Sequence, residues 1–594
     1  MDLIQPKSVL AITATAGHRV INDITRTLGL PRLNHDGCDE SNGIKIYKAD
    51  RDNIDVSVHF VTDHADRLNR LVGILSPVNG KVYESNNHAG CLSSGSVIVY
   101  VWRQMDAEVI AEYISSAGVP GKVVIYHGGM DSGARAKAQS QFLRGKARIC
   151  VATVAFGMGI NKSDVAGVIH MYLSNTPENY LQEIGRAGRD GSDAKAIALI
   201  VPDEVQIRHS LSHSDLLAKS QVKVLFSMLR EEVQDSISKL SEERKNTVEG
   251  LCVALSLQSI LHGCETKPET TETIFSLLEA KDKPLLRVQG SFYGRAIIAP
   301  RKKCLEELAM SERVIDAIRK CCQCVEAPVG QNIEDRNMKV GFKGHHLVGQ
   351  TYGSFCFSIA QCANCLGPDA EPRHVLAALR RLQQNGQIEY VLDTTPSGRY
   401  IHMRLNRDIV GILTEENEIQ YGGLVEETYE AFNLAVSTSA DKVLEIYRIL
   451  RLVGRVKYGE MHSKCKSASL HCFQNLIERY LAKESSEDKD CTLHEDVRDA
   501  FSTKPTRKSL DLSVWSVVDH LKQLQKAHAA SEACPISLDH QMAADYVALA
   551  VTKFLHGIAP ASSPASLCRQ HTAFGSLQSV EFSALRDVVL SIIS

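Results

Sequence analysis

Two arginines stand three residues apart in the stretch Gln182-Glu183-Ile184-Gly185-Arg186-Ala187-Gly188-Arg189-Asp190-Gly191. Each guanidinium is a planar, permanently charged fork of donors that matches phosphate oxygens. On a turn flanked by glycines, Arg186 and Arg189 can converge on one polyphosphate, because the backbone approaches closely where no Cβ intervenes. That is the chemistry of charge stabilisation on a transferring phosphoryl group. The competing reading is a solvated or ion-paired surface couple, the ordinary fate of an isolated Arg-x-x-Arg. A second string, Val151-Ala152-Thr153-Val154-Ala155-Phe156-Gly157-Met158-Gly159-Ile160, precedes the first. Gly157 and Gly159 would turn main-chain amides toward a phosphate. His127, in Tyr126-His127-Gly128-Gly129-Met130, either hydrogen-bonds a phosphate or caps a strand end. Cys321-x-x-Cys324 and Cys362-x-x-Cys365 are two pairs that hold a tetrahedral metal if the fold joins them. Buried free thiols are the alternative.

These residues need a scaffold, and the hydrophobic pattern supplies one. Short apolar runs at Val56–Val61, Val97–Val101, Val123–His127, Ile149–Thr153, Val168–Met171 and Ile197–Val201 read as strands buried on both faces. Amphipathic helices at Asp106–Ala117, Ala134–Leu143 and Pro177–Ile184 alternate with them. The alternation predicts an α/β fold with a parallel, doubly wound sheet. Ligand sites on such sheets gather beyond the carboxyl ends of the strands. Arg103, His127, Thr153 and Gly157 all fall at or just past a strand end.

At 594 residues the chain holds several domains. Residues 1–45 are short and incomplete, with a buried-strand pattern over Ser8–Ala16. The alternating region covers 46–205, and 206–246 reads as a polar helical linker. Over 247–410 one pattern appears twice. Its first copy has helices at Val248–Leu261 and from Pro268, then strands Leu285–Gln289 and Arg295–Ala299 about a turn at 290–294. The second has helices Phe357–Cys365 and Pro372–Gln384, then strands Gln387–Leu392 and Tyr400–Leu405. Two helices followed by a hairpin is the order of a winged helix, a module that probes DNA in some proteins and only packs in others. Residues 411–594 form a mainly helical region.

Hydrophobic content is 44%, charged content 23% and net charge −3. Any nucleic-acid contact therefore rests on local patches rather than global charge. The 17 cysteines are scattered, and no apolar run reaches the ~20 residues a membrane span needs. Reduced thiols inside a cell are expected.

The ten-residue string resembles motif VI of the superfamily-2 helicases, in the wording of the RecQ branch. Val151–Ile160 is similar to motif V, and His127 lies in a segment like the family's His-x-Gly-Met. Val99-Tyr100-Val101-Trp102-Arg103 resembles motif IV, with Val101 in place of the usual Cys. Ala11–Ala16 matches motif III, and Arg51-x-Asn53 resembles an Arg-x-Asn at the start of the second RecA-like lobe. The matches cover about residues 8–205. The paired winged-helix pattern and the tail Phe554-Leu555-His556-Gly557-Ile558 look like the Rothmund–Thomson branch.

The resemblance implies that Arg186 and Arg189 act on ATP, with Gly157, Gly159, Asp164 and Gln182 beside the nucleotide and Asp164 near its ribose. It also implies DNA contacts from Thr13, Thr15, Arg103, His127 and Thr153. It points to a 3′→5′ DNA helicase of repair, recombination or replication, nuclear in a eukaryote and cytoplasmic in a prokaryote. The implied partners are single-stranded or forked DNA and replication or repair proteins, with no membrane. RNA helicases of the superfamily usually read His-Arg-Ile-Gly-Arg-x-Gly-Arg, against Gln-Glu-Ile-Gly-Arg-Ala-Gly-Arg here.

Two departures qualify the resemblance. The printed sequence has no Gly-x-x-x-x-Gly-Lys-Ser/Thr and no Asp-Glu-x-His after a strand. ATP and Mg²⁺ are thus expected to be held by a first lobe that is mostly lacking, in an N-terminally truncated chain unable to hydrolyse ATP alone. The alternative is a non-catalytic DNA-binding or scaffold protein with a relic helicase lobe. The four-Cys zinc site usual soon after motif VI has no counterpart in 206–250. Only Cys321, Cys324, Cys362 and Cys365 remain as zinc candidates.

Overall fold

The computed structural model describes residues 9–13, 17–30, 51–77, 90–157, 162–240, 250–281, 283–301, 303–325, 334–335, 338–339, 354–394, 398–414, 418–458, 466–482, 501, 507–529, 544–561 and 565–593. Its contacts separate two compact units. The first comprises 1–213, 437–504 and 578–581, and the second 214–436, 505–577 and 582–594. Residues 411–594 are thus divided between both.

Helix α1 (His18–Leu28) precedes a six-stranded sheet: β1 (Ile54–Phe60), β2 (Ser96–Tyr100), β3 (Val123–Tyr126), β4 (Ile149–Ala152), β5 (Val165–His170) and β6 (Ala194–Ile200). Their order is β1-β6-β5-β2-β4-β3, and every pairing is parallel. Helices α2 (His64–Leu75), α3 (Gln104–Ser116), α4 (Ser132–Leu143) and α5 (Pro177–Ile184) fill the crossovers, and α6 (Glu204–Ser212) follows β6. The doubly wound expectation holds for all six strands. Helix α2 was not expected from the pattern. Its start is fixed by the Asp63 side chain, which accepts the Asp66 amide at 2.8 Å. Asp131 caps α4 and Thr176 caps α5 in the same way, at 2.9 and 3.1 Å.

Successive side chains alternate between the faces of a strand. Val97, Val99, Ile169, Ile197 and Leu199 pack with Leu71, Leu75, Ala107 and Ile114 of α2 and α3. Ile98, Tyr100 and Val168 face Phe142 and Phe156. On that same side Val56, Val58, Ala196 and Ala198 pack against Tyr180, Ile446, Leu450 and Phe473. Parts of the C-terminal region, far along the chain, therefore complete this core.

The expected buried strand at Ser8–Ala16 is corrected. The described residues 9–13 are not a strand, and Leu10 and Ile12 are 83% and 84% exposed. A buried strand needs hydrogen-bonded neighbours, and no described strand pairs with this segment.

The second unit opens with α7 (Lys219–Ser238). Then come β7 (Leu251–Ser256), α8 (Leu257–Cys264), α9 (Pro268–Glu279), β8 (Leu286–Tyr293) and β9 (Arg295–Pro300). Helices α10 (Leu305–Ala309) and α11 (Arg313–Cys321) lead to β10 (Cys322–Val325) and a short ribbon of β11 (Glu334–Asp335) and β12 (Met338–Lys339). The pattern then repeats as β13 (Ser354–Ser358), α12 (Ile359–Leu366), α13 (Pro372–Gln384), β14 (Ile388–Leu392) and β15 (Arg399–Leu405). Each expected first helix is thus preceded by a strand: 251–256 and 354–358 are extended, and helix begins only after the capping Ser256 and Ser358.

The two expected hairpins are also corrected. The strands form, but neither pair joins to itself. One sheet is β7-β15-β8 and the other is β10-β13-β9-β14. Strand β9 lies between β13 and β14 of the second copy, and β15 lies between β7 and β8 of the first. The copies have exchanged their third strands. Only Gly294 separates β8 from β9, and a hairpin needs at least about two loop residues. The chain therefore runs on into the other sheet. Asn364 of α12 adds a reciprocal pair of 2.7 Å hydrogen bonds with the main chain of Cys252.

The unit ends with α14 (Arg407–Thr414), the long α15 (Glu418–Tyr458), which continues into the first unit, and α17 (Arg507–Ala529), α18 (Ala544–Leu555), α19 (Ala565–Cys568) and α20 (Phe582–Ile593). Helix α16 (Lys466–Ala482) belongs to the first unit. Lys553 of α18 donates to the Leu216 carbonyl at 2.6 Å, and burial pushes its ammonium down from the usual 10.5 to about 7.

Met403 is fully buried in β15, with its backbone paired on both sides. Met403→Ala should cost about 2–5 kcal/mol. Hydrogen exchange should speed up in both copies, β9 and β13 as well as β7 and β8, because the exchanged strands tie them together. Lys553 makes a separate prediction. Between pH 7 and 10 the unfolded chain binds the proton that the folded chain has released, so stability rises with pH across that window. Relative to Lys553→Met, the wild-type denaturation midpoint should climb from pH 7 to pH 9.

Candidate nucleotide and nucleic-acid site

All six strands point their carboxyl ends to one edge of the sheet, and the strings after β2, β3 and β4 follow those ends, whereas the arginine turn leads into the amino end of β6 and its Gly188 amide donates to the Val165 carbonyl at the start of β5. Arg186 and Arg189 lie on the turn between α5 and β6. Arg186 is half-buried and Arg189 is exposed. The Arg186 Nε is buried without a hydrogen-bond partner. A Cβ on Gly157 would come within 3.2 Å of the Arg186 Nη2 and 3.0 Å of the Val154 carbonyl. Gly157 thus leaves room for a guanidinium of the other string, a use its sequence pattern did not suggest.

Tyr100, at the end of β2, donates to the Phe156 carbonyl at 2.9 Å with the Arg186 guanidinium beside it. Burial raises the Tyr100 phenol well above its ordinary range. Arg189 donates from Nε to the Gly185 carbonyl at 3.4 Å. Its pKa is lowered by partial burial, then by the like charges of Arg186 and Arg51. Bringing like charges together favours an anion between them.

The turn itself is held from three sides. Gly188 has φ +56, and a Cβ there would meet Asn53 Nδ2 at 2.5 Å and the Ser192 carbonyl at 2.7 Å. Arg51 Nη2 donates to the carbonyls of Ala187 and Gly188 at 2.9 and 2.6 Å. Asn53 Nδ2 donates to Gly188 and Ser192 at 2.7 and 2.8 Å. Beneath the turn the buried Glu183 carboxylate meets the His170 Nε2 at 2.8 Å and accepts from Tyr172 at 3.1 Å and Ser174 at 3.0 Å. Four side chains from α5, β5 and the segment after β5 therefore share one buried charge.

The other expected residues fall as follows. Gln182 is exposed on the last turn of α5. Asp164 is exposed and paired at 2.8 Å with the buried Lys162, whose hydrogen bond holds its carboxyl below the usual range. Thr153 is 7% exposed, and its main chain bonds to Tyr126 and Phe156. His127 is 6% exposed, with Nδ1 buried and unpartnered and Nε2 3.6 Å from Glu108. Arg103 is exposed, its guanidinium 4.6 Å from the Trp102 ring centre. Thr13 is exposed. Thr15 and Gly159 lie outside the described residues.

The Arg208 guanidinium lies 4.4 Å from the centre of the Trp102 ring and 5.1 Å from that of Tyr172, with burial pushing its pKa down to about 10. No sequence motif flagged Arg208. Its only signal was an arginine in the middle of the helix after the last strand.

Of the zinc candidates, the buried Cys321 thiol lies against those of Cys362 and Cys365, and hydrogen bonding to Cys362 raises its pKa. The Cys324 side chain is outside the described residues. Among the described residues no group of three His, Cys, Asp or Glu has the geometry of a metal centre. No described helix is long and apolar enough to cross a membrane.

Residues 87–191 match the helicase conserved C-terminal domain. This match, with the relatives it resembles, supports a RecQ-type superfamily-2 helicase C-terminal region. It is 29% identical over 318 residues to ATP-dependent DNA helicase Q-like 5 of Arabidopsis thaliana, covering 53% of this chain and 31% of that protein. The probable ATP-dependent DNA helicase RecS of Bacillus subtilis is 30% identical, over 37% of this chain and 40% of its own length. Human ATP-dependent DNA helicase Q4 is 32% identical, over 34% and 16%. The chain thus spans well under two thirds of each of these relatives. A solved DEAD box protein from Methanococcus jannaschii is 28% identical over 26% of this chain and 37% of its own, at a TM-score of 0.21.

Gly188→Ala should therefore be destabilising beyond the ordinary glycine-to-alanine effect, by about 1–3 kcal/mol. Gly191→Ala has a positive φ but open space around its Cβ position. It should cost less, and comparing the two melting temperatures measures the clash alone.

Proposed function

We propose that this chain is the second motor lobe and the accessory DNA-binding part of an ATP-dependent 3′→5′ DNA helicase of RecQ type, working in nuclear repair, recombination or replication. The observation that supports the reading is that Arg186 and Arg189 share one turn and act on each other's charge, with a buried, unpartnered Nε on Arg186. ATP, held with Mg²⁺ by a lobe bearing a Gly-Lys-Ser/Thr loop, supplies the transferable phosphoryl group. Arg186 and Arg189 stabilise its charge, Tyr100 and Gly157 aim Arg186, and Gln182 borders the nucleotide.

Arg103 holds a strand by its phosphates. His127 and Thr153 shape the ends of β3 and β4 behind it, since both side chains are buried.

The repeated copies differ in charge. Helix α9 exposes Glu269, whereas α13 exposes Arg373, Arg380 and Arg381. Arg373 pairs with Glu371 and Arg381 with Glu312, so Arg380 is the best placed for a phosphate. We assign duplex contact to the second copy and not to the first.

The full chain should bind forked DNA with an affinity that falls steeply as salt rises. Arg380→Glu should weaken binding by about ten-fold and flatten the salt slope by roughly one to two ions, counting both the lost and the reversed charge. Glu269→Gln should leave both unchanged. An unaltered slope for Arg380→Glu refutes the assignment. In a chain that also contains the phosphate-binding lobe, Arg189→Ala should abolish DNA-stimulated ATP hydrolysis, on the order of 10³-fold or more, with DNA binding kept. Undiminished turnover would mean that Arg189 is not the residue that stabilises the transferring phosphoryl group.

A further inference from the structure

Arg51 and Asn53 lie just before β1, more than 130 residues from the arginine turn in sequence. They direct four hydrogen bonds at its main chain. Arg51 Nη2 reaches the carbonyls of Ala187 and Gly188, and its Nε donates to Asn53 Oδ1 at 3.3 Å. That last bond orients the Asn53 amide so that its Nδ2 donates to Gly188 and Ser192. The Asn53 carbonyl in turn accepts the Ala194 amide at 2.8 Å, joining β1 to the start of β6. The turn, with left-handed glycines at 188 and 191, closes on itself through the Gly191 amide and the Gly188 carbonyl and donates its 188 and 190 amides to Val165 and Ser163, but the Arg51 and Asn53 donors come from a segment distant in sequence and add bonds to its carbonyls at 187, 188 and 192.

We propose that Arg51 and Asn53 are positioning residues: they clamp the carbonyls of the 187–192 turn so that Arg186 and Arg189 leave it in a fixed, convergent direction. The clamp rests on the phosphate-binding reading of those two arginines. Arg51 acts twice, because a guanidinium spent on neutral carbonyls keeps its full charge and adds it to the field of Arg186 and Arg189. Asn53 acts only through geometry, since it carries no charge. A lysine at 51 would supply the charge without the planar fork that spans two carbonyls.

The test uses the full chain and four variants, each checked by its melting curve. Hydrogen exchange read by mass spectrometry should show the 185–192 amides exchanging at least about ten-fold faster in Arg51→Ala and Asn53→Ala, with β2 and β4 unchanged. Arg51→Lys should recover only part of the protection. Inorganic tripolyphosphate binding, measured by calorimetry, should weaken at least about three-fold in Asn53→Ala, a change that leaves net charge untouched. The Arg186→Ala/Arg189→Ala double variant should lose it.

Unchanged exchange at 185–192 in both Arg51→Ala and Asn53→Ala overturns the clamp. Faster exchange with unchanged tripolyphosphate affinity in Asn53→Ala overturns positioning and leaves a structural brace. Unchanged affinity in the Arg186/Arg189 double variant overturns the phosphate reading itself, and the exchange result still decides the clamp.

Discussion

Six strands running in one direction impose the constraint from which the first unit follows. A parallel sheet must be covered on both faces. Helices α2 and α3 cover one, and α4, α5 and segments far along the chain cover the other. With both faces closed, the edge where the strands end is where the loops can carry chemistry. The strings after β2, β3 and β4 reach that edge because the crossovers return each strand to the same side, whereas the turn after α5 lies by the amino ends of β1, β5 and β6. The C-terminal helices bury Ile446, Leu450 and Phe473 against β1 and β6, so the edge strand that anchors the arginine turn is supported by residues hundreds of positions away.

Arg186, Arg189 and Arg51 put three like charges on and beside the arginine turn. Below them the Glu183 carboxylate is enclosed by His170, Tyr172 and Ser174. A buried carboxylate is tolerated only where donors replace its water. Those donors come from β5 and the segment after it, so the negative layer ties the arginine turn to the middle of the sheet. The same Tyr172 lies beside Arg208, which in turn lies over Trp102, next to Arg103. A continuous set of contacts thus joins α5 to the end of β2.

Much of this was legible in the sequence, for identifiable reasons. The strands of the first unit are short apolar runs between turn residues, and all six form. The arginine turn was legible because its residues cluster within ten positions. The partners of that turn were less so: Arg51-x-Asn53 gives no hint that its donors reach Ala187 and Gly188, since long-range pairing leaves no local pattern. Gly157 was read as opening an amide toward phosphate, whereas its empty side accommodates the Arg186 side chain. The apolar stretch at 8–16 misled because a strand pattern records burial, not the presence of neighbours. In the second unit the repeated helices were visible, but the leading strands and the pairing were not. Apolar residues at 251–256 fit either helix or strand, and the exchange depends on a one-residue link at Gly294 that composition alone does not distinguish from a turn.

The swapped strands also bear on how the chain is made. Synthesis proceeds from the N-terminus, so β7, α8, α9 and β8 emerge with the centre of their sheet still missing. Strand β9 appears next, with neither of its own neighbours yet formed. The first copy stays open until residue 405 has left the ribosome, and by then the second has also received its last strand. Nascent polypeptide in this region passes through a long interval with two unfinished sheets, each exposing the edges into which the other's strand must fit.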